Sequence, residues 1–183
     1  MIRMMDLQAE CKSIILFSGL FEIKIMEEHK VLYGSFYGEA DKKVMKVAED
    51  SLNPKVDRID EIIAFAREAG VNRIGLANCI TFEKEAKQLE ILLTDAGFTV
   101  TRANCKLGRM PYKEIMPGYP GISCNPAGQA KIMENAGTEM NLVMGLCIGH
   151  DMVFNAHSRV LTTTLIVKDR KLQHHTLLRF HES

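Results

Sequence analysis

The sequence predicts a three-layer α/β domain on a mainly parallel, Rossmann/flavodoxin-like sheet of at least four strands. Three observations carry that prediction. Short apolar β-forming runs alternate with helical patterns from Arg73 onward. Glycines at 70, 97 and 137 close the helical patterns just before the strands. Strands separated by helices are joined by right-handed crossovers, which make the sheet parallel.

The elements follow in order. Residues 1–38 read as an N-terminal arm or extension, in which Ile14–Phe17 and Val31–Tyr33 have strand-like composition without a clean period. Residues 39–183 read as one α/β domain. Ala40–Ser51 is a charged helix with Val44, Val47 and Ala48 on one face, stopped at Asn53-Pro54. Asp57 is placed to cap the next helix, whose Ile59, Ile62, Ile63 and Ala66 keep helical spacing up to Gly70. Strand one is Arg73–Ala77. Thr81 is the expected cap of a helix with Phe82, Ala86, Leu89, Leu93 and Ala96 on one stripe.

Strand two is Phe98–Ala103, and Lys106–Ser123 is a loop rich in glycine and proline. A loop of that length inside a compact domain points to function or mobility. Asn125-Pro126 opens a helix, a cap followed by proline in the first turn. Strand three is Asn141–Leu146, a short helix spans His150–His157, and strand four is Val160–Val167.

The bulk properties exclude several classes. The 23 basic and 23 acidic residues leave no net charge, which argues against a strong electrostatic hold on nucleic acid or an anionic membrane. The apolar run Ile14–Ile25 is broken by Glu22 and Lys24 and is too short to span a bilayer. No secretory leader pattern precedes it, so the expected location is cytoplasmic. Five cysteines, an odd number without a dense framework, then imply free, metal-bound or redox-active thiols rather than disulfide staples.

Four of those cysteines share a topological address. Cys79, Cys105 and Cys147 follow apolar strands, and Cys124 stands one residue before a helix cap. Parallel strands send all four loops to the carboxyl edge, where open sheets bind ligands. If strands one and three are neighbours with strand two outside, the thiols flank the switch point. Helix N-termini favour thiolate, which makes Cys124 and Cys147 the best placed. The competing reading is plain packing, because free cysteine is among the most buried residue types.

Soft thiolates suit zinc or iron–sulfur clusters, so Cys79, Cys105, Cys124 and Cys147 are candidate metal ligands. The paired Cys-x-x-Cys signature is absent, and Cys147-x-x-His150 is the one local pair with ligand-like spacing. A catalytic alternative uses Cys147 as nucleophile with His150 as base and Asp151 nearby. Asn78, Lys106, Asn125 and Gly149 are candidate ligand-binding positions, and Arg109 is a further cation in the same loop as Lys106. For the asparagines turn chemistry is the plainer role. His174-His175 reads as a solvated pair. No phosphate loop, dinucleotide fingerprint, nucleophile elbow or His-Glu-x-x-His occurs.

These fragments together, Arg73–Ile80, Cys105–Gly108, Cys124-Asn125-Pro126 with Gln129-Ala130, and Gly145–Asp151, resemble a prokaryotic domain-of-unknown-function family whose members are commonly labelled "metal-binding protein". Val167–Arg170 fits its closing strand, and the likeness runs from about Lys42 to the C-terminus. The resemblance implies metal or thiol chemistry. Members of that family often begin with a segment containing Cys-x-x-Cys, whereas the first 38 residues here hold only Cys11. The strand-end cysteines therefore have to support the metal label alone.

The leading expectation is a cysteine-lined pocket that binds a soft metal or metallocofactor. The alternatives are a thiol-dependent enzyme working by redox, sulfur or acyl transfer, and a small-ligand module with structural cysteines. Expected partners are a small molecule or a metal ion, with no nucleic acid and no membrane, and homo-oligomerisation is left open.

Overall fold

A computed structural model describes residues 34–181. The expected strands at Ile14–Phe17 and Val31–Tyr33, and Cys11, lie outside the described residues. The chain divides into two compact units between Lys46 and Val47. The described part of the first holds a 3₁₀ turn at Gly34–Phe36 and the start of helix α1, Glu39–Ser51.

The second unit carries the sheet. Helix α2 spans Arg58–Glu68, and the Asp57 carboxylate accepts the backbone N–H groups of Ile59 and Asp60. That supplies acceptors for two of the donors a helix start leaves open. Strand β1 (Arg73–Asn78), helix α3 (Glu83–Asp95) and strand β2 (Thr99–Asn104) follow. Helix α4 (Pro126–Asn135), strand β3 (Met140–Met144), helix α5 (His150–His157) and strand β4 (Leu161–Ile166) complete the alternation.

All four strands are parallel, in the order β2-β1-β3-β4. The path steps from β1 outward to β2, returns across β1 to β3, then continues to β4. Right-handed crossovers therefore put α3 on one face and α4 and α5 together on the other, where those two helices pack against each other. The reversal lies between β1 and β3, the switch point at which a doubly wound sheet opens a crevice.

Burial follows topology. Strand β3 is buried along its whole length, and β1 is buried except at Arg73. The edge strand β4 is rich in threonine and half-exposed. Ile74, Leu76, Leu93, Met133, Leu142 and Phe154 form the centre of the core.

Two local departures from expectation have physical causes. The backbone enters α3 through a 3₁₀ turn at Ile80–Phe82, so Thr81 sits too early to cap that helix. The loop before α4 contains 3₁₀ turns at Leu107–Arg109 and Tyr112–Glu114 and closes on itself through a bridge between Pro111 and Ile122.

Gly75 shows how tightly α4 lies on the sheet. A Cβ there would collide with the Asn141 side-chain oxygen and stand 2.7 Å from the Met133 sulfur. Gly75→Ala is expected to destabilise the domain by about 1–3 kcal/mol through overpacking. Urea unfolding followed by circular dichroism reads this as a lower midpoint with an unchanged slope; an unshifted midpoint would mean that α4 stands off the sheet.

Candidate functional site

The sheet delivers the cysteines through its hydrogen-bond register. Asn78 and Asn104 are the last paired residues of β1 and β2, and Asn78 also pairs with Met144 of β3. The ladder runs one step further, since Cys79 N–H donates to Met144 O at 3.0 Å and Cys105 N–H donates to Asn78 O at 2.9 Å. Cys79 and Cys105 are thus held on adjacent strand ends, with their sulfurs 3.9 Å apart. Cys124 reaches the same place through the loop, where Asn125 N–H donates to Cys105 O at 2.8 Å. Its thiol lies close enough to Cys105 to act on that sulfur electrostatically.

Beneath the sulfurs, Gln129 on α4 fixes the strand ends. Its side-chain N–H groups donate to Asn78 O at 3.2 Å and Ala103 O at 2.7 Å. Asn78 is fully buried and donates to Cys79 O at 3.0 Å and Glu83 Oε2 at 3.2 Å. Each amide thereby commits both of its N–H groups to holding backbone and carboxylate in place. Glu83 in turn takes Arg102 at 2.8 Å, and Arg102 also donates to Glu90 at 2.6 Å, which ties α3 to β2 directly behind Asn78. Burial raises the Glu83 carboxyl, but the Asn78 amide and the Arg102 guanidinium outweigh it and hold the group below its ordinary value.

The decisive side chain comes from after β4. Lys168 donates to Cys79 Sγ at 2.7 Å and to the Thr81 hydroxyl at 3.2 Å. Thr81 Oγ1 itself is 3.5 Å from the sulfur. Burial raises the Cys79 thiol, yet the Lys168 ammonium, with the Thr81 N–H and hydroxyl, brings it down from an ordinary 9.0 to about 7. Cys105 behaves in the opposite way. Burial and the charge of its neighbours Cys79 and Cys124, against the Ile80 N–H that donates to its sulfur at 3.3 Å, push it up to about 12. The two sulfurs form a coupled pair in which Cys79 gives up its proton first and Cys105 keeps its own.

The cation is held from below. Lys168 Nζ stands 5.8 Å from the centre of the Phe82 ring, and His174 meets the same ring edge-on at 4.6 Å. His174 Nδ1 accepts the Asp169 N–H at 3.0 Å, and the Asp169 carboxylate accepts the Leu172 N–H at 3.0 Å. Gln173 and His174 both have left-handed backbone angles, at φ 50 and 68. Gly145, at φ 65, leaves the space that Phe82 fills; a Cβ there would clash with the edge of the Phe82 ring. The pair expected to be solvated is therefore divided, with His174 packed into the support of Lys168 while His175 is exposed.

The remaining candidates are placed as follows. Cys147 stands at the same edge, half-buried, and its sulfur takes a hydrogen bond from Arg170 at 3.1 Å. No hydrogen bond among the described residues joins that sulfur to His150 or Asp151. The Asp151 carboxylate accepts the Met152 N–H, and Cys147 O accepts the N–H groups of His150 and Asp151. Lys106 donates to Ile122 O at 2.9 Å and so pins the loop. Arg109 sits at a left-handed position, φ 50. Asn104 accepts the Lys106 N–H, Asn125 caps α4 by accepting the Gly128 N–H, and Gly149 precedes α5 at φ 84.

The structure thus gathers Cys79, Cys105 and Cys124 and places Cys147 with a separate cation. Among the described residues no group of three or more Cys, His, Asp or Glu side chains is arranged to hold a metal ion. The residues that sequence reasoning missed are Lys168, Thr81, Arg170 and His174. For Lys168 and Arg170 the signal was a pair of cations directly after strand four, at the edge already marked by the cysteines; Thr81 and His174 carried none.

The comparisons with known proteins agree on kinship and assign no activity. A family model described as "Protein of unknown function (DUF1847)" matches residues 21–165. The chain is similar to "Uncharacterized protein MJ0455" of Methanocaldococcus jannaschii, at 39% identity over 161 residues, covering 84% of this chain and 79% of the relative. No solved structure matches. The "metal-binding" label that the sequence fragments suggested is in neither description. With more than half its length matched by the model, the chain belongs to the DUF1847 family of proteins of unknown function.

Proposed function

We propose that this protein is a thiol-dependent enzyme whose nucleophile is the Cys79 thiolate, activated by Lys168 at the carboxyl edge of the sheet. The observation that carries the reading is the 2.7 Å contact between Lys168 Nζ and Cys79 Sγ. A thiolate is the attacking form of cysteine, and a cation at contact distance is what generates it near neutral pH. An ordinary thiol at pH 7 is about 1% ionised, and one titrating near 7 about half. The reading keeps the thiol chemistry expected from the sequence and moves the nucleophile from Cys147 to Cys79. Cys147 with Arg170 is then a neighbouring thiol on the same rim.

A second reading gives the same sulfurs a soft ion, zinc or the iron of a cluster. It is favoured by the 3.9 Å approach of the Cys79 and Cys105 sulfurs, two soft ligands side by side, with Cys124 on the adjoining loop. It requires a fourth donor, and Cys147 is engaged by Arg170 instead. Anaerobic purification followed by metal analysis separates the readings. The thiolate reading expects substoichiometric zinc and iron and an unchanged spectrum after reconstitution. One tightly held ion per chain, lost together with Cys79, Cys105 or Cys124, would transfer the site to the second reading.

The thiolate reading predicts a pH profile. The Cys79 pKa is depressed, so the reactive form is lost as pH falls through about 7 and is already complete below the range where free thiols ionise. Alkylation by iodoacetamide, resolved by peptide mass spectrometry, should show Cys79 as the fastest thiol at pH 7 with a midpoint near 7. Lys168→Met should raise that midpoint by about one unit or more, because burial then acts with little opposition. A wild-type midpoint at the ordinary thiol value, or one unmoved by Lys168→Met, would remove Cys79 as nucleophile.

His174 supplies an independent check on how Lys168 is held. His174→Ala removes both the acceptor of the Asp169 N–H and the edge contact on Phe82. It should raise the Cys79 midpoint in the same direction as Lys168→Met, by a smaller amount. His174→Asn, which retains an acceptor and tolerates the left-handed backbone, should restore part of the shift. Equal midpoints in all three proteins would mean that Lys168 is positioned without His174.

A further inference from the structure

We propose that Cys79 and Cys105 form a two-electron dithiol–disulfide centre, with Cys105 as the resolving thiol and a small hydroperoxide as the oxidant. The inference rests on the reading of Cys79 as the nucleophile and adds a partner thiol, a reaction and a substrate class. Its basis is placement. Cys79 and Cys105 follow directly on the paired residues Asn78 and Asn104 of neighbouring parallel strands. Adjacent strands run about 4.8 Å apart, inside the span that a disulfide bridges. The sulfurs already stand 3.9 Å apart, so rotation about the side-chain bonds closes the gap without moving the sheet.

The asymmetry of the pair sets the order of events. Cys79 faces the Lys168 ammonium, whereas Cys105 keeps its proton and directs it at Cys79. The outer thiolate attacks, and the inner thiol waits until the attacked sulfur has become electrophilic. Size follows from burial: Cys79 is 4% exposed and Cys105 2%. A disulfide carried on another folded protein is too large for so buried a sulfur, so the oxidant has to be small, and a hydroperoxide presents only an oxygen pair.

The chemistry balances. The Cys79 sulfur attacks the distal oxygen of R–O–O–H, the O–O bond breaks, and the departing alkoxide takes a proton from Lys168, which solvent replaces. Cys79 is then a sulfenic acid. The Cys105 sulfur attacks it, a sulfur–sulfur bond forms, and the hydroxyl leaves as water with the proton from Cys105. Two thiols and one hydroperoxide become one disulfide, one alcohol and one water. Two equivalents of a small external thiol reverse the oxidation by exchange, leaving as their own disulfide.

The test uses the full chain, reduced and made anaerobic, with hydrogen peroxide as the probe. The expected product is lighter by about 2 Da, yields a linked peptide joining Cys79 to Cys105 on digestion, and reverts with dithiothreitol. Cys105→Ala and Cys105→Ser should leave Cys79 as a sulfenic acid trapped by dimedone at least about tenfold more than in wild type. Cys124→Ser should leave the link intact. The inference is overturned if Cys79 alkylates rapidly at neutral pH yet peroxide leaves it unlinked, drives it to the sulfinic acid, or joins Cys105 to Cys124. Slow alkylation of Cys79 at neutral pH is the separate result that defeats the underlying thiolate reading and this proposal with it.

Discussion

A buried sulfur resists ionisation, and this protein opposes that resistance with a single cation brought in from the far end of the domain. Lys168 and Cys79 are 89 positions apart in the chain and 2.7 Å apart in space. Everything around the contact serves to hold one partner or the other. Gln129 and Asn78 fix the strand end that carries Cys79. Phe82, accommodated by Gly145, lies beneath Lys168, and His174 closes the turn that follows it. Without the sheet order β2-β1-β3-β4 neither set of supports would meet.

The same arrangement explains why the two central thiols differ so strongly although both are buried. Low dielectric surroundings penalise charge on either sulfur, and one cation is enough to compensate only one of them. Lys168 touches Cys79, so Cys79 ionises first. Its charge then adds to burial at Cys105, which retains the proton and shares it across the 3.9 Å gap. Two chemically identical residues acquire different acidities from a difference in neighbours alone.

Much of the scaffold was legible in the sequence. Asp57 and Asn125 cap the helices they were expected to cap, His150–His157 is helical over that whole span, and the strand ends fall within a residue or two of their expected positions. The gathering at one edge was legible as well, because parallel topology follows from alternating elements. The activation was not. Lys168 lies in the Val167–Arg170 fragment, which the sequence marks only as the close of the last strand, and its placement depends on Phe82 filling the space at Gly145, a packing event with no periodicity to detect. Thr81 looked like a helix cap because one extra 3₁₀ turn before α3 is invisible to pattern. Cys147 stood out in the sequence for its place before a helix, and it too meets a cation, Arg170 at 3.1 Å; what sets Cys79 apart is the shorter Lys168 contact and the second thiol 3.9 Å away, neither of which has a sequence pattern.

The ionisation of Cys79 is the quantity on which the account turns, and it can be observed without any reagent. With ¹³C-labelled cysteine, the Cβ resonance of Cys79, assigned from the loss of its signal in Cys79→Ser, reports thiol and thiolate directly across a pH titration. The account predicts a transition centred near 7 that moves upward in Lys168→Met. A Cys79 resonance that stays in the thiol position until pH rises past the ordinary value of 9.0 would contradict it.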